Sequence, residues 1–166
     1  TIIKGEMADA ALVEAIFAEH KPEAVLHFAA YAYVGESVTD PLKYYRNNIA
    51  APLVLLDAMQ RHGCRRFIFS STCATYGNPV RVPMDETHPQ EPVNPYGASK
   101  LMLERVLRDC DTAWGLKCVF LRYFNASGCD PDGEIGEDHD RETRLIPRIL
   151  MAATEEIEAI TVFGTD

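Results

Sequence analysis

Apolar and polar positions follow two rhythms along this chain, and they alternate. Short continuous apolar runs, Ala24-Val25-Leu26-His27-Phe28-Ala29-Ala30, Arg66-Phe67-Ile68-Phe69-Ser70-Ser71 and Cys118-Val119-Phe120-Leu121-Arg122-Tyr123, have the length and residue types of buried strands. Thr1-Ile2-Ile3-Lys4-Gly5 and Ile160-Thr161-Val162-Phe163 read as further strands, each close to an end of the chain, so the chain reads as a fragment of a longer protein. Between the runs lie stretches of helical spacing. Leu12, Ile16 and Phe17 share one face of a helix predicted from about Ala8 to His20, stopped by Lys21-Pro22-Glu23. A loop through Gly35 and Pro41 leads to a helix from Leu42 to His62, in which Pro52 predicts a kink or a break and Gly63 a stop. Leu101, Leu103, Val106 and Leu107 mark a helix from Tyr96 to about Trp114, after a loop from Gly77 to Pro95. A loop rich in Gly and Asp, Asn125 to Arg141, precedes the last helix, Ile146 to about Glu155.

Strand and helix in alternation predict an α/β fold, a doubly wound parallel sheet with helices on both faces. Ligands of such sheets sit beyond the carboxyl ends of the strands. Ala29-Ala30, Ser70-Ser71-Thr72 and Phe124-Asn125 fall there, where small residues admit a ligand to the backbone and hydroxyls and an amide offer hydrogen bonds.

The chemistry centres on Tyr96-Gly97-Ala98-Ser99-Lys100. Tyr96 and Lys100 are four apart on the predicted helix, so phenol and ammonium project from one side. A neighbouring cation favours phenolate and draws the tyrosine pKa down from about 10. That suits a general base toward an alcohol. The plain alternative is a pair that only stabilises the helix.

Composition changes the picture little. The 166 residues, 47% hydrophobic and 25% charged, suit one soluble globular domain. A formal charge of −9 argues against a nucleic-acid surface. Five cysteines without a Cys-x-x-Cys pair suit reduced thiols in the cytoplasm, and no apolar run approaches the about 20 residues of a membrane span. His139-x-x-Glu142, flanked by Asp138 and Asp140, lacks a second histidine at helical spacing and reads as solvated, not as a metal site. Ser70 and Ser71 lack the Gly-x-Ser-x-Gly elbow of a hydrolase.

Taken together, Gly5-Glu6, His27-Phe28-Ala29-Ala30, Val34-Gly35-Glu36-Ser37, Tyr44-Tyr45-Arg46-Asn47-Asn48, Ser70 to Gly77, Pro95 to Lys100 and Leu121 to Asn125 resemble the extended short-chain dehydrogenase/reductase family, and within it the sugar-nucleotide 4-epimerases. The resemblance implies a Rossmann-like NAD-binding domain over residues 1–125, incomplete at its N-terminal side, and the start of a substrate-binding region over 126–166. The family's Gly-x-x-Gly-x-x-Gly turn is absent from these residues. The implied reaction is NAD-dependent epimerisation at C4 of a UDP-sugar through a 4-keto intermediate, in the longer protein and not in this piece alone.

By the same likeness Tyr96 is the base, Lys100 lowers its pKa and bonds the nicotinamide ribose, and Thr72 holds the 4-oxygen. Glu6, where the family usually has aspartate, and Met7 lie on the adenine side. Phe28, Ala29, Ala30, Asn47, Ser70 and Tyr123 complete the cofactor contacts, with Ala32 where some relatives carry lysine. Phe124, Asn125, Leu145, Thr161 and Phe163 fall to the sugar nucleotide, with Arg144 where relatives carry Asn or His. The likeness further implies a homodimer through the helices near 42–62 and 96–113. The sugar itself stays open, a pentose or an N-acetylhexosamine nucleotide included, and so do two other functions, a sugar-nucleotide 4,6-dehydratase or decarboxylase and a non-catalytic dinucleotide-binding protein. The first needs a carboxylate beside Thr72, where Cys73-Ala74 stand; the second has no need of the Tyr96–Lys100 couple.

Overall fold

The computed structural model describes residues 1–166 other than 138, 140, 141, 163, 165 and 166. It divides into two units, Thr1–Phe124 and Asn125–Asp166. The first is built on three parallel strands, β1 (Val25–His27), β2 (Arg66–Thr72) and β3 (Lys117–Tyr123), in the order β1-β2-β3. Helices alternate with them: α1 (Ala10–His20), α2 (Val34–Thr39), α3 (Pro41–Tyr45), α4 (Ala51–His62) and α5 (Pro95–Trp114). This is the open parallel sheet of a Rossmann-like fold.

Local signals set the helix ends. The Asp9 carboxylate accepts from the amides of Ala11 and Leu12 at 3.1 Å and starts α1, and Lys21 in a left-handed conformation ahead of Pro22 ends it. Asn94 caps α5 through the Gly97 amide at 2.8 Å, with Pro95 in the first turn.

The 42–62 helix differs from expectation in an informative way. The residues around Gly35 form α2 instead of a loop, and α3 passes into α4 through a π-helical turn, Arg46–Ala50. Pro52 therefore breaks nothing. It sits in the first turn of α4, just past a π turn in which the Ala51 amide bonds the Arg46 carbonyl, and the widened turn accommodates the missing proline N–H.

Residues 1–4 form no strand. Ile2 is 91% exposed, and β1 pairs only with β2, so no ladder reaches this segment. β1 itself is three residues long, shorter than the apolar run that announced it. The expected strand at 160–163 does not form in the described residues, and Phe163 lies outside them. In the second unit the regular element is α6 (Leu145–Ala153).

In this part of the Rossmann-like sheet the described helices pack on one face. Phe67 and Phe69 of β2 share one buried cluster with Val13 and Phe17 of α1, Leu56 and Met59 of α4, and Leu103 and Leu107 of α5. The opposite face carries the row Leu26–Ile68–Val119, in register across the sheet, with Leu26 60% and Val119 54% exposed. The cause is topological. Strands added in one direction by right-handed crossovers place every connecting helix on the same side.

His27 ends β1 inside the core, 3% exposed, its ring stacked on Phe67 at 5.6 Å, and neither ring nitrogen has a hydrogen-bond partner among the described residues. Burial, and then the charge of Lys100, holds the imidazole neutral down to about 4. Between about 6.5 and 4 the unfolded chain takes up a proton that the folded one refuses, so stability falls as pH drops through that window. His27→Phe keeps the ring contacts and removes the stranded nitrogens. Denaturant titration is expected to show it about 1 kcal/mol more stable at pH 7, with a shallower loss between pH 6.5 and 4.

Candidate active site

At the carboxyl end of β2 the sequence Ser70-Ser71-Thr72 leads into a single 3-10 turn, Cys73–Thr75. The Thr72 hydroxyl accepts from the Ala74 amide at 3.1 Å and caps this turn. The first turn of α5 lies directly against it. A Cβ on Gly97 would stand 2.5 Å from the Ala74 carbonyl oxygen, so only glycine lets the helix come this close.

One turn further along α5, Lys100 is 3% exposed and its ammonium donates to the Ser70 carbonyl at 2.8 Å. The same nitrogen lies 6.0 Å from the centre of the Tyr96 ring and 4.9 Å from that of Phe69. Tyr96 and Lys100 thus share one helix face at the strand's carboxyl end, as their spacing requires. Burial pulls the Lys100 ammonium down to about 8. Its position leaves N–H donors beyond the one given to Ser70, and a buried cation of this kind fits a ligand hydroxyl beside a phenol.

Tyr96 is backed edge-on by the buried Tyr44 ring, with centres 6.5 Å apart. The Tyr44 hydroxyl is held by the Tyr33 backbone and Glu36, and Glu36 also pairs with Lys43 at 2.6 Å. Asn47 is half-buried, and its side-chain oxygen accepts from the Tyr31 amide at 3.2 Å. Asn48, which sequence reasoning passed over, does more. It is 1% exposed, accepts from Tyr31 at 3.0 Å, and donates to the Tyr31 carbonyl and to the Ser99 hydroxyl, each at 3.1 Å. Ser99 in turn donates to the Tyr96 carbonyl at 2.7 Å. Asn48 therefore ties the loop after Ala30 to the Tyr96 turn.

Glu104 and Arg122 were also missed. Glu104 is fully buried, four residues after Lys100, and bonds Ser71, Arg122, Arg108 and Gln90. Arg122 reaches the Tyr76 hydroxyl at 2.8 Å as well. A signal was available in the sequence: each is a charge set among apolar neighbours, Glu104 on the inward face of an amphipathic helix and Arg122 within an apolar strand.

The other expected residues are placed as follows. Ser70 meets Lys100 through its carbonyl. Ala29, Ala30 and Phe28 follow β1, with Phe28 58% exposed, and Tyr123 ends β3 beside Thr72 in register. Phe124 is exposed next to it. Glu6 is exposed and Met7 half-buried in the turn before α1. Asn125, Leu145 and Thr161 belong to the second unit, where Leu145 begins α6. In that unit Glu137, His139 and Glu142 bring ligand atoms within 4.8 Å of one another, but the Arg144 guanidinium contacts both Glu137 and His139 and supplies the cation there.

Residues 1–166 match the model of the NAD dependent epimerase/dehydratase family. The chain belongs to that family. A UDP-glucose 4-epimerase of Rhizobium leguminosarum bv. trifolii is 50% identical over 163 residues, 98% of this chain and 50% of that protein. The crystal structure of UDP-glucose 4-epimerase from Brucella ovis in complex with NAD superposes with a TM-score of 0.95 at 52% identity, covering 98% of this chain and 50% of that one. The Bifidobacterium longum enzyme, solved with NAD+ and UDP, gives 0.92 at 41% identity over 98% of this chain and 49% of that one. The chain spans about half the length of the family members it matches.

For a family site, the buried ammonium should carry a stability cost. A lysine pulled down to about 8 binds fewer protons than the unfolded chain between about 8 and 10.5. Its penalty is therefore fully present below pH 8 and vanishes as pH rises toward 10.5. Lys100→Met is expected to raise unfolding free energy by about 2 kcal/mol at pH 7, after allowing for the lost bond to Ser70. The difference from the parent should shrink toward zero by about pH 10.5, as read by denaturant titration of both proteins.

Proposed function

We propose that this chain carries the catalytic centre of an NAD-dependent 4-epimerase of UDP-sugars, the substrates being UDP-glucose and UDP-galactose. The observation that supports it above all is Tyr96 beside a buried Lys100 at the carboxyl end of β2, in a chain about half identical to UDP-glucose 4-epimerases.

The residues fit NAD at its nicotinamide-ribose end. Lys100 offers donors from a dry position, and the small residues Ala29 and Ala30 follow β1 where backbone can approach a flat ligand. Asn47, Ser70 and Tyr123 are assigned to the same end, Phe28 with Ala29 and Ala30 to the diphosphate and ribose, and Glu6 and Met7 to the adenine side. Bound NAD supplies a hydride acceptor that also returns the hydride. Tyr96, as phenolate, takes the proton of the sugar's 4-hydroxyl while the C4 hydride leaves, giving a 4-keto sugar. Lys100 stabilises the phenolate by its charge. Thr72 accepts the Ala74 amide and keeps its own O–H to hold the sugar's 4-oxygen. When hydride returns to the opposite face, Tyr96 gives the proton back. Phe124, Asn125, Leu145, Thr161 and Phe163 are assigned to the nucleotide and sugar.

Dehydration is disfavoured by the same site. Glu104, the carboxylate bonded to Ser71, is consumed by Arg122 and Arg108 and is not available as an acid or base. Exposed Leu53 on α4 and Met102 on α5 support a homodimer through these helices. Five free cysteines support a reducing, cytoplasmic setting, and no helix among the described residues is long and apolar enough to cross a membrane.

Tyr96→Phe in the full-length protein tests the reading. It is expected to fold and bind NAD as the parent does, with kcat for UDP-galactose to UDP-glucose conversion lowered by at least about 10²-fold and KM little changed. A coupled assay for UDP-glucose gives the rate, and near-parental turnover would remove Tyr96 from the mechanism.

A further inference from the structure

Three successive turns of α5 are fastened to three residues, Ser70, Ser71 and Ala74, around the end of β2. Gly97 abuts the Ala74 carbonyl, Lys100 bonds the Ser70 carbonyl, and Glu104 accepts from the Ser71 hydroxyl at 2.6 Å. The first contact only limits approach, and the second is a single bond from a flexible side chain. Glu104 differs in kind. Arg122 of β3 grips its carboxylate in a two-pronged pair, Nε at 2.9 Å and Nη2 at 2.7 Å, and the third guanidinium nitrogen holds Tyr76 just past the 3-10 turn. Arg108 at 2.9 Å and Gln90 at 3.3 Å complete its bonds. Burial pushes the Glu104 carboxyl up, but the bonds from Arg122 and Ser71 outweigh it and hold it below the usual carboxylate range.

A planar fork on a carboxylate fixes both distance and orientation. Glu104 lies four residues from Lys100 and eight from Tyr96 on one helix face, so what fixes Glu104 against β2 and β3 also fixes the height of Tyr96 and Lys100 above Ser70 and Thr72. We infer that the Glu104–Arg122 pair is a positioning device that sets the axial register of the catalytic helix. Neither residue touches the reacting groups. This rests on the functional reading above, in which Tyr96 is the base. A displacement of 1 Å at a reacting group costs on the order of 10²-fold in rate, so a small slip of α5 is enough to matter.

The test uses the full-length protein, Glu104→Gln and the double variant Glu104→Met/Arg122→Met, which strands no buried charge. Far-UV circular dichroism checks the fold, and kcat and KM are measured on UDP-galactose. The pH at which Tyr96 ionises is read from tyrosinate absorbance, each protein against its own Tyr96→Phe version. The expected result is an intact fold, KM within about threefold and kcat lowered at least about tenfold, with Tyr96 ionising at higher pH. Parental kcat and parental Tyr96 ionisation in either folded variant overturn the inference. Failure of both variants to fold overturns it too, because the pair would then be a requirement of folding. An inactive parent protein strikes down the functional reading alone, since the ionisation of Tyr96 still reports the register.

Discussion

Two opposite charges one turn apart on α5, Lys100 and Glu104, are both buried against the same strand, and each is bonded elsewhere. A lysine followed by a glutamate four residues later ordinarily invites a pair along the helix. Here Arg122 occupies the carboxylate, and only burial shifts the Lys100 ammonium. The consequence is a division of charge. Glu104 is neutralised by a guanidinium from β3, so the lysine's field is left for the phenol on its other side. Had the two paired, less of the lysine's charge would face the Tyr96 ring, 6.0 Å away. The proposed chemistry of the site therefore rests on an ion pair that takes no part in it.

That dependence shapes stability as well. Buried ionic groups seldom repay their desolvation in full, and a pair exchanged for apolar residues often leaves a protein no less stable. Lys100 has one carbonyl for a partner and His27 none that the structure describes, so both hold their environments at a cost. The two sit close enough for the lysine's charge to bear on the imidazole. The end of the sheet nearest the site is thus its least settled part energetically, while the apolar cluster of α1, α4 and α5 at the middle of β2 provides the compensation.

Much of this was legible from residues whose meaning is local. The strand-helix alternation, the Asn94-Pro95 helix start, the Gly63 stop and the four-residue spacing of Tyr96 and Lys100 all read correctly because backbone geometry decides them. Features that needed a partner from elsewhere did not. Thr1–Lys4 has the composition of a strand but meets no neighbour to bond. Pro52 looked like a break because the π turn that accommodates it is set by packing, in which the buried Asn48 side chain binds both Tyr31 and Ser99. Asn47 drew attention ahead of Asn48 because neighbouring amides are indistinguishable until the helix phase is known. Alternation fixes the hand of each crossover, and the direction in which strands are added then decides which face the described helices cover.

That direction has a further effect on the site. Parallel strands in chain order bring three carboxyl ends side by side, at His27, Thr72 and Tyr123, although 45 and then 51 residues separate each from the next. The loops after β1 and β2 are pinned by polar bonds close to their roots. Asn48 holds Tyr31, Thr72 holds Ala74, and Arg122 holds Tyr76. Apolar packing could not do this, because bulk at the rim would fill the space a flat ligand needs. Hydrogen bonds from neighbouring helices and strands fix the backbone while the rim residues themselves, Ala29, Ala30 and Ala74, stay small. In the proposed site, a rim with little side-chain volume would leave recognition to backbone groups and to a few side chains, Lys100 and Tyr96 of α5 among them.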